Sequence, residues 1–191
     1  MPDAQVLAIP GSLRKGSFNR SLLVAAQDLA PSGMRIEVFE GLREIPPYDQ
    51  DVQDQGAPGP VRAFNESIKA ADGLIIASPE YNYSVPGVLK NAIDWASRGK
   101  PSVLEGKPVG LIGASPGNFG TVRAQLAWRQ VFLFTNSPVM LRPELLVFGA
   151  ADRFSKSGEL TDNDTRKFLR EYLEAFAEWI ASHSRRPAPV S

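Results

Sequence analysis

The chain has 191 residues, which suffices for one substantial core and is short for two, so we predict a single domain over residues 1–183 and a flexible tail over residues 184–191. Its 21 basic and 21 acidic residues balance without long runs of either sign, which argues against a nucleic-acid partner. No apolar run approaches the roughly 18 residues of a membrane-spanning helix, and the N-terminus lacks the basic region of a secretory signal. We therefore expect a cytoplasmic protein with no membrane partner.

The chain contains no cysteine, which excludes disulfides, thiolate nucleophiles, iron–sulfur clusters and zinc–cysteine sites. Its single histidine, His183, lies near the end of the sequence, where a frayed polar tail is expected rather than a catalytic base. A Ser-His-Asp hydrolase is therefore disfavoured, and no metal site is expected. Any difficult chemistry would have to be supplied by a bound cofactor.

The first element is an apolar strand candidate at residues 5–9, and the glycine- and serine-rich residues 11–20 follow it. Asn19 is a good N-cap residue, so we predict that a helix begins at this position. Hydroxyl, amide and guanidinium groups before a helix N-terminus suit a bound phosphate, although a serine-rich turn that binds nothing would look similar. The candidate phosphate ligands are the neutral donors Ser12, Ser17 and Asn19 and the cations Arg14 and Lys15.

The spacing of this loop bears on the kind of phosphate. Gly11 and Gly16 match the glycines of a nucleotide-triphosphate loop, but Ser17 and Phe18 stand where that loop needs its Lys and its Ser or Thr. Leu13 stands where a dinucleotide fingerprint has its second glycine. A terminal phosphate monoester suits the remaining donors best.

Four further apolar, β-rich runs follow, and they are separated by patterns with apolar residues every three or four positions, which indicate helices. The strand candidates are residues 34–39, 73–78, 109–114 and 138–148, and the helix candidates are residues 20–29, 61–70, 86–97, 120–134 and 161–182. Strands that alternate with helices need long crossovers, so we predict parallel strands in a three-layer α/β/α sandwich.

Three segments outside these elements bear on function. Residues 41–60 are rich in Pro and Gly, and we interpret them as an ordered or semi-mobile loop that forms an active-site flap, a subunit contact or a plain surface loop. Residues 79–87 combine two tyrosines with two prolines, which suits a rigid platform for a flat ring but also an aromatic turn packed on a neighbour. Ser84 is a possible N-cap for the helix that follows. Residues 115–121 contain glycines whose backbone amides could hydrogen-bond to the polar edge of a heterocycle.

Together these segments resemble the NAD(P)H-dependent FMN reductase family, in particular its bacterial chromate and quinone reductase branch. The resemblance rests on residues 11–19, 79–87, 89–95 and 115–117, and it spans about the whole chain in order and spacing. It implies a flavodoxin-like fold with a five-stranded parallel sheet in the order 2-1-3-4-5. It further implies noncovalent FMN, NAD(P)H as co-substrate, and a homodimer or homotetramer.

The resemblance also assigns residues by position. Those implied at the FMN phosphate are Ser12, Arg14, Ser17 and Asn19; those beside the isoalloxazine ring are Pro79, Glu80, Tyr81, Asn82 and Tyr83; Ser115 and Gly117 would meet its pyrimidine side. Arg123 and Glu144 resemble polar interface positions of the family, whereas Leu126 stands where some relatives have a tyrosine.

The implied activity is hydride transfer from NAD(P)H through flavin N5 to a quinone, an azo or nitro compound, free flavin or a metal oxyanion such as chromate, with no catalytic side chain required. A flavodoxin-type electron carrier is the alternative, which the neutral charge of the chain disfavours, and a phosphate-ligand sensor without turnover is a second. NADH and NADPH both stay open, because Arg20, Arg123 or another cation could meet the 2′-phosphate.

Overall fold

The computed structural model describes residues 3–184. Its five strands form one parallel sheet in the order β2-β1-β3-β4-β5, which confirms the predicted topology. The strands are β1 (Ala4–Pro10), β2 (Met34–Val38), β3 (Gly73–Ala77), β4 (Val109–Ala114) and β5 (Leu145–Val147).

Helices cover both faces of the sheet, as the three-layer prediction requires. The helices are α1 (Phe18–Asp28), α2 (Gln50–Asp54), α3 (Gly59–Ala70), α4 (Gly87–Ala96), α5 (Val122–Phe134) and α6 (Asn163–Ser184). Apolar residues of α1 and α6 form one buried cluster with the sheet, and those of α3, α4 and α5 form the other. Within residues 3–184, no helix combines the length and apolar character needed to cross a bilayer.

β4 is buried along its whole length and contains two glycines, at positions where side chains of α6 and of the residue before α5 lie against the strand. A Cβ atom on Gly110 would lie 2.6 Å from Tyr172 Oη, and one on Gly113 would lie 1.9 Å from Thr121 Oγ1. The Tyr172 hydroxyl donates to the carbonyl of Leu111 at 3.1 Å, and burial raises its pKa. Small residues in β4 thus allow α6 and the start of α5 to approach the sheet.

Two predicted helix caps are wrong. α1 begins after Ser17, whose extended backbone and side-chain acceptor make it the N-cap, so Asn19 lies inside the helix. α4 begins at Gly87, and its N-cap is Pro86, which has no side-chain acceptor; Ser84 lies further upstream in a backbone bridge with Tyr81. In both cases the helix begins at a different residue from the one that propensity suggests.

Two segments differ from their predicted form. The last strand is limited to β5, because Pro143 has no N–H for a ladder, and Val139 makes only an isolated parallel bridge to Val109. Residues 41–60 are not one irregular loop: they contain a 3-10 turn (Gly41–Glu44), α2 and the start of α3. The carbonyl of Pro46 in this segment accepts hydrogen bonds from two side chains of α4, so the segment is anchored to the domain.

The C-terminal helix extends further than predicted. Asp162 accepts a hydrogen bond from the amide of Thr165 at 2.8 Å at the start of α6, and hydrogen bonds from Thr165 hold the pKa of Asp162 below its usual value. His183 lies in the last turn of α6 with its ring 4.2 Å from that of Trp179, so the expectation of a frayed end at this residue is wrong. Of the predicted tail, residues 184–191, Ser184 ends α6 and the rest lies outside the described residues.

Candidate functional site

The loops after β1, β3 and β4 meet at the carboxyl edge of the sheet. The amide of Gly11 donates to the carbonyl of Ala77 at 2.8 Å, which ties the first loop to the end of β3. The hydroxyl oxygens of Ser12 and Tyr81 lie 3.3 Å apart and join the same two loops. The structure therefore brings together, at the carboxyl edge of the sheet, the segments of residues 11–20 and 79–87 that the sequence analysis assigned to the phosphate and the ring.

The loop between β1 and α1 has the composition of an anion site. Ser17 is buried at the N-cap, and the first turn of α1 carries backbone N–H groups that have no partner within the helix. Ser12 accepts a hydrogen bond from the amide of Arg14 at 3.3 Å, while Arg14 and Lys15 themselves are exposed. No Asp or Glu occurs in residues 11–20, so no carboxylate of this loop would repel a bound phosphate.

Asn19 connects α1 to the end of β4. Its side-chain nitrogen donates to the carbonyl of Ala114 at 2.9 Å, and its side-chain oxygen accepts from the amide of Ala114 at 2.9 Å. The side chain is buried, and this pair of bonds fixes the position from which the loop beginning at Ser115 departs. A phosphate contact of Asn19 stays a prediction.

The loop after β3 is a tight hairpin turn. Tyr81 and Ser84 exchange two backbone hydrogen bonds of 3.0 Å each. Between them Asn82 and Tyr83 both adopt left-handed backbone angles, with φ of 50° and 66°. Two central residues with positive φ are the signature of a type I′ turn, which is costly for a tyrosine and therefore needs support from its surroundings. The turn presents the exposed rings of Tyr81 and Tyr83 at the edge of the site.

Glu80 supplies part of that support by binding the N-terminus of α5. Its carboxylate accepts from the amide of Arg123 at 2.9 Å and from the amide of Ala124 at 3.3 Å, and it pairs with the Arg123 guanidinium at 2.8 Å. Thr121, the N-cap residue of α5, makes no side-chain capping bond, so a carboxylate from another loop satisfies the helix instead. Its partners turn the Glu80 carboxylate toward α5, and a ring contact of this residue stays a prediction.

Aromatic residues and α5 complete the support. The Arg123 guanidinium lies 3.9 Å from the ring centre of Tyr83 and 4.1 Å from that of Phe119, so a cation joins the loops after β3 and β4. Trp128 in α5 donates to the hydroxyl of Ser78 at 2.8 Å at the start of the same turn. Sequence reasoning missed these supporting roles because α4 and β4 separate α5 from the loop after β3 in the chain, so no local pattern links Ser78, Glu80 or Tyr83 to α5.

The loop after β4 is fixed from the opposite side. The Ser115 hydroxyl accepts from the amide of Gly117 at 3.1 Å, which closes a small turn. The amides of Gly149 and Ala150 donate to the carbonyls of Gly117 and Ser115 at 3.2 and 3.0 Å. The backbone of Ser115 and Gly117 is therefore held at the same edge of the sheet as the other two loops.

Comparison with known proteins agrees with this arrangement. Residues 4–152 match the family model described as NADPH-dependent FMN reductase. The chain belongs to this family. It is 45% identical over 178 residues to an NAD(P)H-dependent FMN reductase of Pseudomonas aeruginosa, covering 93% of this chain and 96% of the relative. It is 43% identical over 178 residues to a quinone reductase of Escherichia coli K12, covering 92% and 95%.

A solved structure supports the fold as well as the family. The flavoenzyme NAD(P)H:(acceptor) oxidoreductase FerB of Paracoccus denitrificans superposes with a TM-score of 0.86 at 35% sequence identity. The match covers 94% of this chain and 98% of FerB. The fold shared with FerB thus extends over nearly the whole chain.

Proposed function

We propose that this FMN reductase family member is a quinone reductase. Family membership makes it an NAD(P)H-dependent flavoenzyme, with FMN as cofactor and NAD(P)H as co-substrate. The observation that carries the choice of acceptor is the likeness to quinone reductases over more than nine-tenths of the chain. A 2-hydroxy-1,4-benzoquinone reductase of a Burkholderia species, 41% identical over 177 residues, supports the same choice.

The residues present suit FMN. Ser12, Arg14 and Ser17 would hold the phosphate at the N-terminus of α1, where no carboxylate of residues 11–20 opposes it. The turn of residues 79–83 would border the ring, and Ser115 and Gly117 would face its polar edge. Glu80 turns its charge toward α5, so it leaves no unpaired negative charge to repel an electron-rich ring.

The chemistry that bound FMN supplies is acceptance of a hydride from NAD(P)H and delivery of the electrons to the acceptor. The task of the chain is orientation. The type I′ turn of Asn82 and Tyr83 is held by Arg123, and the anchored backbone of Ser115 fixes the opposite side. A rigid site of this kind keeps two flat reactants in contact without an acid or base from the protein.

Spectroscopy and turnover test this function. We expect the purified protein to show a flavin spectrum that bleaches on anaerobic addition of NADH or NADPH and returns on addition of a quinone, with sustained NAD(P)H oxidation in the presence of excess quinone. Flavin that bleaches without sustained turnover would instead favour the electron carrier. Absence of bound flavin after reconstitution with FMN would contradict the proposal.

The wider acceptor range is part of the proposal. Azo compounds, nitro compounds, free flavin and chromate can all take electrons from a reduced flavin that is open to solvent, and the turn residues Tyr81 and Tyr83 are exposed at the proposed ring edge. The same assay with each compound in place of quinone ranks them, and we expect quinone to give the highest kcat/KM.

Arg14→Ala is expected to weaken FMN binding about tenfold, because one charge-assisted hydrogen bond to the phosphate is lost. Fluorescence titration of the apoprotein with FMN measures the change. Arg170→Ala, which removes the same charge from an exposed position of α6, is the matched control and should leave the dissociation constant unchanged. Equal affinities of the Arg14 variant and the wild type would remove Arg14 from the phosphate site.

We further propose that the chain forms a cytoplasmic homodimer or homotetramer through α5. Inner residues of α5 pack in the core, and yet Leu126, Leu133 and Phe134 on its outer side are 56%, 81% and 88% exposed. A helix that is apolar on both faces is typical of one that is covered on both.

Glutamate at both Leu133 and Phe134 should lower the molar mass measured by light scattering to that of a smaller assembly or a monomer. Val24→Glu, an equally polar change at an exposed apolar site on α1, should leave the mass unchanged. A double variant with the wild-type mass would exclude this face as the contact.

A further inference from the structure

A second cationic pocket lies beside the proposed FMN phosphate loop. It is a cavity of about 320 Å³ between this loop and the residues that follow β2. Its charged lining consists of Arg14, Lys15, Arg20, Arg43 and Glu40. Four cations therefore face one carboxylate in a chain whose total charge is zero.

The single carboxylate does not neutralise the pocket. Glu40 pairs with Arg20, with a shortest distance of 2.7 Å. Among the ion pairs of residues 3–184, none involves Arg14, Lys15 or Arg43. Three cations are thus left to attract anions, and each suits a charge-assisted bond to a phosphate.

The walls of this pocket are fixed by packing. Arg43 donates to the carbonyl of Leu13 at 2.8 Å, which links the 3-10 turn after β2 to the phosphate loop. Leu42 is buried beside it, and the ring of Phe39 lies 4.8 Å from that of Phe64 in α3. The charged side chains therefore extend from a rigid backbone rather than from a mobile loop.

The pocket is separate from the proposed FMN site, although the two adjoin. Ser17, Asn19 and the loops after β3 and β4 do not line it; it opens on the β2 side of the phosphate loop. Ser12 and Arg14 are shared, so bound FMN would occupy Arg14 and leave Lys15 and Arg43 for a second anion. A volume near 300 Å³ accommodates a phosphate group with the sugar that carries it.

We propose that this pocket binds the phosphate monoester of a substrate, either the 2′-phosphate of NADPH or the 5′-phosphate of FMN that serves as an acceptor. The inference rests on the proposed reductase function and adds to it that the protein distinguishes substrates by their phosphate group. NADPH carries this phosphate dianion on a ribose, and FMN carries it on a ribityl chain. NADH and riboflavin are the matching molecules that lack the phosphate.

The test combines Lys15→Ala with Arg43→Gln, which removes both charges and leaves a polar side chain at residue 43. The control, Lys167→Ala with Arg170→Gln on the exposed face of α6, removes the same charge elsewhere. On the FMN-loaded protein, kcat/KM is measured for NADPH and NADH with a quinone, and for FMN and riboflavin as acceptors with NADH. Calorimetric titration with NADP⁺ and NAD⁺ gives the binding affinities without turnover.

If the pocket binds the 2′-phosphate of NADPH, the double variant should lower kcat/KM for NADPH about tenfold, through KM rather than kcat. Its affinity for NADP⁺ should fall by the same factor, while the values for NADH and NAD⁺ should change little. If the pocket binds the 5′-phosphate of an FMN acceptor, kcat/KM should fall for FMN and not for riboflavin. Equal ratios in the double variant, the control and the wild type would overturn the inference. If that result comes with flavin retained and quinone turnover intact, the proposed function still stands. A wild-type protein that binds no flavin on reconstitution with FMN would instead refute the function itself.

Discussion

Gly113→Ala is expected to lower the free energy of unfolding by about 3 kcal/mol, the upper part of the range for overpacked cores. The added Cβ would lie 1.9 Å from Thr121 Oγ1 and 2.8 Å from the backbone oxygen of Ser78. Thr121 cannot give way easily, because it is 1% exposed and holds a left-handed φ of 71° at the start of α5. The clash would therefore push the N-terminus of α5 away from the sheet, and urea-induced unfolding measures the loss.

Gly87→Ala is the matched control for this prediction. A Cβ at Gly87, the first residue of α4, meets no atom within 4 Å, so stability should stay the same or rise by up to about 1 kcal/mol. Adding Thr121→Gly to Gly113→Ala removes the closest contact and should recover part of the loss. A Gly113 variant as stable as the Gly87 variant would show that the packing at the start of α5 is not tight.

Glu80→Ala is expected to lower the free energy of unfolding by about 2 kcal/mol, because two amides of α5 and the largely buried Arg123 guanidinium lose their acceptor. It should also weaken FMN binding about tenfold, since Arg123 then no longer holds the strained turn at Tyr83 in place. Urea unfolding and fluorescence titration with FMN measure the two effects separately.

Glu66→Ala removes an exposed ion pair with Lys69 and is the control, for which we expect a change within about 0.5 kcal/mol and unaltered FMN binding. Glu80→Gln keeps one acceptor and should lie between the wild type and Glu80→Ala in both measurements. If Glu80→Ala loses stability but binds FMN like the wild type, Glu80 stabilises α5 without positioning the turn.

The elements themselves could be predicted because their signals are local. Residues 109–114 form a continuous apolar run, and β4 has those bounds; α5 ends at the predicted residue, Phe134. Two wrong predictions concern the ends of helices, where two neighbouring residues can both serve as the N-cap. Ser17 and Asn19 are both good N-caps, and Ser17 is the cap because Asn19 is used by β4.

The support of the site could not be predicted from local patterns. Asn19 and Ala114 are 95 positions apart, and Glu80 and Arg123 are 43 apart, so only the folded sheet brings them together. The motif around residues 79–83 indicated a platform but not that Glu80 would cap a helix. The contacts of the proposed FMN ligands with the cofactor stay predictions that the variants above address.

The order of the strands has a consequence for how the protein is made. β1 lies between β2 and β3, and the loop that begins at Gly11 is tied to Ala77 and Ala114. While the ribosome is still synthesising residues before β4, the nascent chain carries the phosphate-binding segment without the strand ends that hold it in shape. Loading with the flavin must therefore wait until β4 and the loop after it have emerged, and fragments that stop earlier are expected to be colourless.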